Sequence, residues 1–332
     1  MLELHLDLND PAFIADPYPT LAELRERTAV FYDPHWRNVF YTRYDDIVAL
    51  LRDRRLGRQK PCGNGVEPPA DPARAPFDHF EAQHLMDREP PEHTRLKRLL
   101  SKAFTSQRVA GLRDTIEGIV DRMLDAVAPS GRMDLLRDFA EPLPVMVIAE
   151  LLGIPESGRQ RLRPWSSAIV KLYELGYTAE QVQLSSRAVS EFSDYLRGLA
   201  DERRVHPQDD LISALVAAEF AGERLTENQL IANCILLLNA GHEATVNGIT
   251  SALLSLFRNR AQREQLVEAA GSPGGEALFA TAADELLRYD TPLPLFRRWV
   301  LGDVKHNGQL LERGTEVALL YASGNRDPCR FE

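Results

Sequence analysis

Residues 230–256 form a long apolar run, and its middle holds Ala240-Gly241-His242-Glu243-Ala244-Thr245. Glycine in a helix interior costs about 1 kcal/mol relative to alanine. A buried glutamate on the same turn costs more unless it is paired. A long helix that carries both at its centre is expected to open there and line a site. The insert also rules out a membrane span, because no stretch of the chain reaches the roughly 18 uninterrupted apolar residues that one needs.

The rest of the chain surrounds that helix with others. Helical spacing of apolar residues marks segments 91–104, 108–127, 145–152, 156–173, 179–204, 210–220, 227–257, 260–270 and 275–289. Before them come a short helix at 18–28, strand candidates at 30–32 and 39–41 joined by a turn-rich segment, and a helix at 44–53. Segment 57–80 is rich in proline and glycine and reads as a long irregular loop. Strands resume at 296–300 and 317–321, with turns at Asn307-Gly308 and Arg313-Gly314. The expected fold is mainly α, with a small β part contributed by both ends.

Bulk properties narrow the function. The chain has 332 residues, 44% of them apolar, enough for a sizeable core in one domain over residues 1–332. A formal charge of −10 argues against a general nucleic-acid binder. The first residues have no basic region, apolar core or cleavage site of a signal peptide. Cys62, Cys234 and Cys329 are odd in number and in no metal spacing, which fits a cytoplasmic protein without a disulfide framework.

Four local patterns can carry chemistry. In the first, His93 and Lys97 share one helix face, Arg95, Arg98 and Lys102 a second, and Leu96, Leu99, Leu100 and Ala103 the apolar stripe. A solvated basic side explains this, and so does one basic face for an anionic ligand and another for an acidic partner. In the second, His242-Glu243 begins like a zinc-protease motif, but Val246 stands where the second histidine belongs. That leaves Glu243 as a structural hydrogen-bonding group or a proton relay in a pocket. In the third, Glu285 and Arg288 are i, i+3 and suit an intrahelical ion pair. In the fourth, Arg297 and Arg298 alternate faces of a strand, so one can meet an anion.

Taken in order along the chain, these features resemble the cytochrome P-450 family in its soluble bacterial form. Pro90-Pro91-Glu92-His93-Thr94-Arg95-Leu96 looks like the helix that crosses the heme. Ala240 to Thr245 looks like the oxygen groove, Glu285-Leu286-Leu287-Arg288 like Glu-x-x-Arg, and Asn325-Arg326-Asp327-Pro328 like the segment before the final meander. The resemblance implies heme b held at its propionates by His93, Lys97 and Arg298, with Lys97 in place of the commoner arginine. It implies that Gly241 leaves room for dioxygen and that Glu243 is the acid of the acid–alcohol pair. The alcohol position is Ala244, and Thr245 comes one residue late, about 100° around the helix. Glu285 and Arg288 would be structural. A ferredoxin or flavodoxin would dock on Arg95, Arg98 and Lys102, and oxygen would be inserted into a small apolar substrate.

One element of the family pattern is absent. The axial thiolate lies in a loop of the form Phe-x-x-Gly-x-x-x-Cys-x-Gly, and the sequence stops at Glu332 before it. The axial cysteine is therefore expected beyond Glu332, and the fold reads as incomplete at its C-terminal side, without the meander and the ligand loop. As written, the chain would be inactive. The alternative is a non-catalytic relative of the fold that binds and stabilises a partner enzyme.

Overall fold

The computed structural model describes residues 1–61, 71–174 and 176–331, which group into two compact units, Met1–Gly65 with Gly248–Glu332 and Val66–Asn247. Each unit has hydrophobic clusters of its own.

The first unit is built on a six-stranded sheet. Strands Val30–Asp33 and Asn38–Tyr41 form the expected antiparallel hairpin, with Phe31 opposite Phe40 and their rings stacked at 5.1 Å. Strand Glu316–Leu319 lies parallel to Asn38–Tyr41 and antiparallel to Phe296–Val300, which pairs in turn with Leu56–Gly57. Val317 and Leu319 pack with Tyr41, Ile47 and Leu50, whereas Ala318 and Leu320 pack with Phe31, Phe40 and Leu21. That period of two, apolar on both sides, is what a strand covered on both faces requires. Asn307 and Gly308 both have positive φ, the geometry of a two-residue hairpin turn, between strands Val304–His306 and Gln309–Leu311.

The second unit is helical. Helix Glu92–Ala103 buries Leu96, Leu99 and Ala103 of the expected stripe and leaves Leu100 partly buried. Helix Ala179–Val205 starts at a reciprocal cap between Thr178 and Gln181, and Phe192 on it stacks on Trp165 at 4.9 Å. A second such cap, Thr226 with Gln229, starts helix Glu227–Arg258.

Several expectations change. The central helix, Glu227–Arg258, is continuous through Gly241 and does not open. A Cβ at that glycine would meet Ile148 Cδ1 at 3.0 Å, so the missing side chain admits a close neighbour and does not break the helix. The expected loop 57–80 contains a helix, Ala75–Glu81, and residues 62–70 of it, Cys62 included, lie outside the described residues. The expected helix 156–173 is three pieces, Glu156–Arg159, Leu162–Val170 and a 3-10 turn, Lys171–Tyr173. Pro164 lacks an N–H and fits only a first turn, which sets a new start at Leu162. Helix 108–127 likewise divides at Gly111 into Ser106–Ala110 and Leu112–Val127. Among the described residues, no helix is long and apolar enough to cross a membrane.

Candidate functional site

In the second unit, His93, Thr94, Lys97, Arg98, Ser101 and Lys102 line a groove of about 560 Å³ on one flank of Glu92–Ala103. The i, i+4 spacing read from the sequence therefore places His93 and Lys97 in one basic concavity. Lys97 also edges an apolar cavity of about 260 Å³ whose walls include Leu100, Phe104, Leu236 and Leu237. Cation and hydrocarbon thus meet at one rim, which suits a ligand that is anionic at one edge and flat and apolar elsewhere.

Arg95 behaves differently from Arg98 and Lys102, with which the sequence grouped it. Its guanidinium donates to both carboxylate oxygens of Glu92, at 2.9 and 2.7 Å, and to Gln229 Oε1 at 2.8 Å. Glu92 is held below the usual carboxylate range, chiefly by that hydrogen bond. Arg95 thereby ties the basic helix to the first turn of the central helix, and only Arg98 and Lys102 of the three line the groove.

The central helix presents two contrasting sides at its middle. Ile235, Leu238, His242 and Val246 are buried, whereas Ala240, Ala244 and Thr245 are exposed. Ala240 and Ala244 are one turn apart, so the exposed side is nearly bare backbone that a planar group can approach closely. Glu243 lies between the two sides and is half-buried. Burial pushes its carboxyl above the usual range, Lys171 pulls it back, and Glu174 pushes it up again. Lys171 and Glu174 are themselves paired at 2.7 Å. A carboxyl in this setting is poised to hold a proton and release it beside the bare face. His242 points the other way. Its Nδ1 lies 3.1 Å from Ser166 Oγ, and burial lowers its pKa, so it stays neutral.

In the first unit, Arg288 donates through Nε to Glu285 at 2.7 Å, reaches the carbonyl of Asn325 and covers the Phe331 ring at 4.6 Å. The pair thus fastens helix Gly275–Tyr289 to the turn around Asn325, a structural task. Arg297 forms a pair with Glu316 across the sheet at 3.2 Å, and Arg298 lies over the Phe296 ring at 4.5 Å. Arg297 is thus engaged by a carboxylate of the neighbouring strand.

Comparison with known proteins turns these features into a family. No protein-family model matches the chain. The polyketide-biosynthesis cytochrome P-450 PksS of Bacillus subtilis (strain 168) is 36% identical over 301 residues, which is 90% of this chain and 71% of that protein. The chain belongs to the cytochrome P-450 family. The cytochrome P-450 monooxygenase PikC of Streptomyces venezuelae is 35% identical over 329 residues, covering 96% of this chain and 74% of its own length. Among solved structures, cytochrome P-450 BioI in complex with an acyl carrier protein ligated to hexadec-9Z-enoic acid superposes with a TM-score of 0.86. Its identity is 30%, and the match spans 97% of this chain and 81% of that one. The mainly helical P-450 fold and the membership of a heme monooxygenase family are therefore as the sequence implied.

The residues present fit the outer contacts of a heme. The basic rim at His93 and Lys97 suits a propionate, and the adjoining apolar cavity suits the macrocycle edge. The iron ligand is another matter. Cys234 is fully buried in the apolar core of the helical unit, and burial pushes its thiol up to about 12. Cys329 is exposed, with its N–H on Asp327 Oδ1 at 3.0 Å, in a turn that has no glycine loop around it.

Sequence reasoning missed Lys171 and Glu174, which set the charge around Glu243 from another helix and follow no local motif. It also missed a cluster of Glu81, His84 and Asp87, whose ligand-type atoms lie within 4.8 Å of one another. That cluster falls just beyond the segment 57–80 that reads as loop.

Proposed function

We propose that this chain serves a monooxygenase that inserts one atom of dioxygen into a C–H or C=C bond of an apolar acyl or polyketide chain. Electrons would come from a ferredoxin or flavodoxin. Heme b, when bound, supplies the iron at which dioxygen is activated. His93 and Lys97 would hold a propionate, and Arg298, by family resemblance, would meet the other. Ala240 and Ala244 leave one side of the central helix bare, where the group would find room, and Glu243 would hold and release a proton next to them. Position 244 carries no hydroxyl, so Glu243 works through ordered water or a hydroxyl of the substrate. Gly241 stays a candidate for admitting dioxygen, although the space a Cβ would need is taken by Ile148.

The observation that carries this reading is the basic groove at His93 and Lys97 sharing Lys97 with an apolar cavity against the central helix. The substrate class rests on relatives: PksS belongs to polyketide biosynthesis, BioI was captured with a hexadecenoyl carrier protein, and the myxobacterial CYP267B1 was captured with myristic acid. The donor rests on charge, since acidic redox carriers complement Arg98 and Lys102. A cytoplasmic setting agrees with free Cys234 and Cys329.

Titrating the protein with heme, followed by absorption and by quenching of tryptophan fluorescence, tests the groove. Lys97→Glu should weaken heme uptake about ten-fold or more, the scale of one charge-assisted hydrogen bond. Uptake unchanged by Lys97→Glu and by His93→Ala would remove the groove from the cofactor site.

A further inference from the structure

The central helix carries a polar side chain that neither the fold nor the proposed chemistry uses. Asn239 is 6% exposed, and neither its Oδ1 nor its Nδ2 has a hydrogen-bond partner. Asn233, on the same helix, shows the ordinary outcome for a buried amide. Its Oδ1 accepts from the Leu85 N–H at 3.0 Å and its Nδ2 donates to the Gln229 carbonyl at 2.7 Å. A buried carboxamide with all of its capacity unmet is costly, and an aliphatic side chain would be both cheaper and a better helix former here. Asn239 also does not bond back to the carbonyl one turn earlier, the usual local remedy.

Its position points to a use. Asn239 lies on the buried side with Ile235 and Val246 and is i, i+4 to Glu243, so the side chains of Asn239 and Glu243 rise from one side of the helix about 5–6 Å apart at Cβ. A ligand that approaches Glu243 along the helix passes the carboxamide. An amide offers one acceptor and two donors, and a hydroxyl, which both donates and accepts, can meet both kinds at once.

We propose that Asn239 is a specificity-determining residue that hydrogen-bonds a hydroxyl substituent on an otherwise apolar substrate. This rests on the monooxygenase reading and narrows it: an oxygenated chain of polyketide type fits, and a plain alkyl chain leaves the amide unpaired. Sites built around a buried hydrogen bond discriminate strongly against the analogue that lacks the group.

Two measurements on Asn239→Val, with Asn239→Ala as the smaller alternative, decide the matter. The first is the melting temperature without ligand. A carboxamide kept for a ligand makes Asn239→Val melt higher than the wild type, whereas an amide held by structural water makes both variants melt lower, which overturns the proposal. The second is calorimetric binding of myristic acid against a set of its mid-chain hydroxy derivatives. The wild type should bind at least one hydroxy acid about ten-fold more tightly than myristic acid, and Asn239→Val should lose that preference while still binding myristic acid. Equal binding of the acids by the wild type, or a preference that survives in the variant, overturns it. If no acid binds, the acyl substrate class fails separately, and the ligand-free melting comparison still decides the role of Asn239.

Discussion

At Glu243 the outcome of folding depends on one proton. Its carboxyl titrates above the ordinary value because burial outweighs the attraction of Lys171. A folded-state pKa raised above the unfolded value means that the protonated form is the one folding favours. That stability is full below the unfolded pKa and is lost as pH rises through the folded pKa. Glu243→Gln should therefore raise the melting temperature at neutral pH, with the gain shrinking toward pH 4. Lys171→Gln removes the one attractive charge and leaves Glu174 opposed to Glu243, so it should move the Glu243 titration further upward, as followed by NMR. A downward shift would contradict the assigned balance. The juxtapositions of His93 with Lys97 and of Glu285 with Arg288 were legible in the sequence because residues three or four apart share one helix face. Lys171 and Asn239 were not. The first acts on Glu243 from another helix, and the second is conspicuous only once the absence of its partners can be seen.

Among the elements, the end of helix Ala75–Glu81 shows how a cluster of metal-ligating types can be complete without a metal. Glu81 Oε1 lies 2.9 Å from His84 Nε2 and accepts from the Tyr173 hydroxyl at 2.7 Å. The Met86 N–H donates to His84 Nδ1 at 3.2 Å. With Nδ1 accepting, Nε2 carries the ring proton and donates to Glu81. A metal at Nε2 would require the opposite arrangement, with Nδ1 as donor. Zinc should accordingly leave the melting temperature unchanged. Burial raises the Glu81 carboxyl, but the bonds from His84 and Tyr173 prevail and hold it below the ordinary value. A depressed folded pKa contributes stability that is full above the unfolded carboxylate value and is lost as pH falls through the depressed one. Tyr173→Phe should cost about 1 kcal/mol and His84→Ala about 1–3 kcal/mol in urea unfolding at neutral pH, with both costs shrinking in acid. This helix was hidden in the sequence, because Pro76 and the proline- and glycine-rich stretch before it mimic a loop. It also led to an opening at Gly241 that is not there, since spacing alone cannot tell a glycine that breaks a helix from one that admits a neighbour.

Across the whole molecule, a formal charge of −10 coexists with a basic strip on one short helix. An acidic electron carrier is repelled by most of the surface and drawn to that strip, so association should be steered and salt-sensitive. Arg98→Glu combined with Lys102→Glu should slow reduction by a flavodoxin about ten-fold or more at low salt, with the difference fading at high salt in stopped-flow traces. Equal rates at low salt would move the docking surface elsewhere. The division into helical and sheet-bearing parts was legible from the change of period along the chain. The grouping of the N-terminal strands with those near residue 317 was visible only as two ends sharing one sheet, because register is set by partners far apart in sequence.

That sheet has a consequence for how the protein is made. Strand Asn38–Tyr41 leaves the ribosome well before its parallel neighbour Glu316–Leu319. At about 5–20 residues per second, the hairpin waits on the order of tens of seconds with an open apolar edge. The helical unit between them, Val66–Asn247, is complete well before then. A nascent chain paused before residue 316 should therefore expose Val39, Phe40 and Tyr41 to any passing strand, and chaperones that shield edges during translation should matter more for this protein than those acting after release.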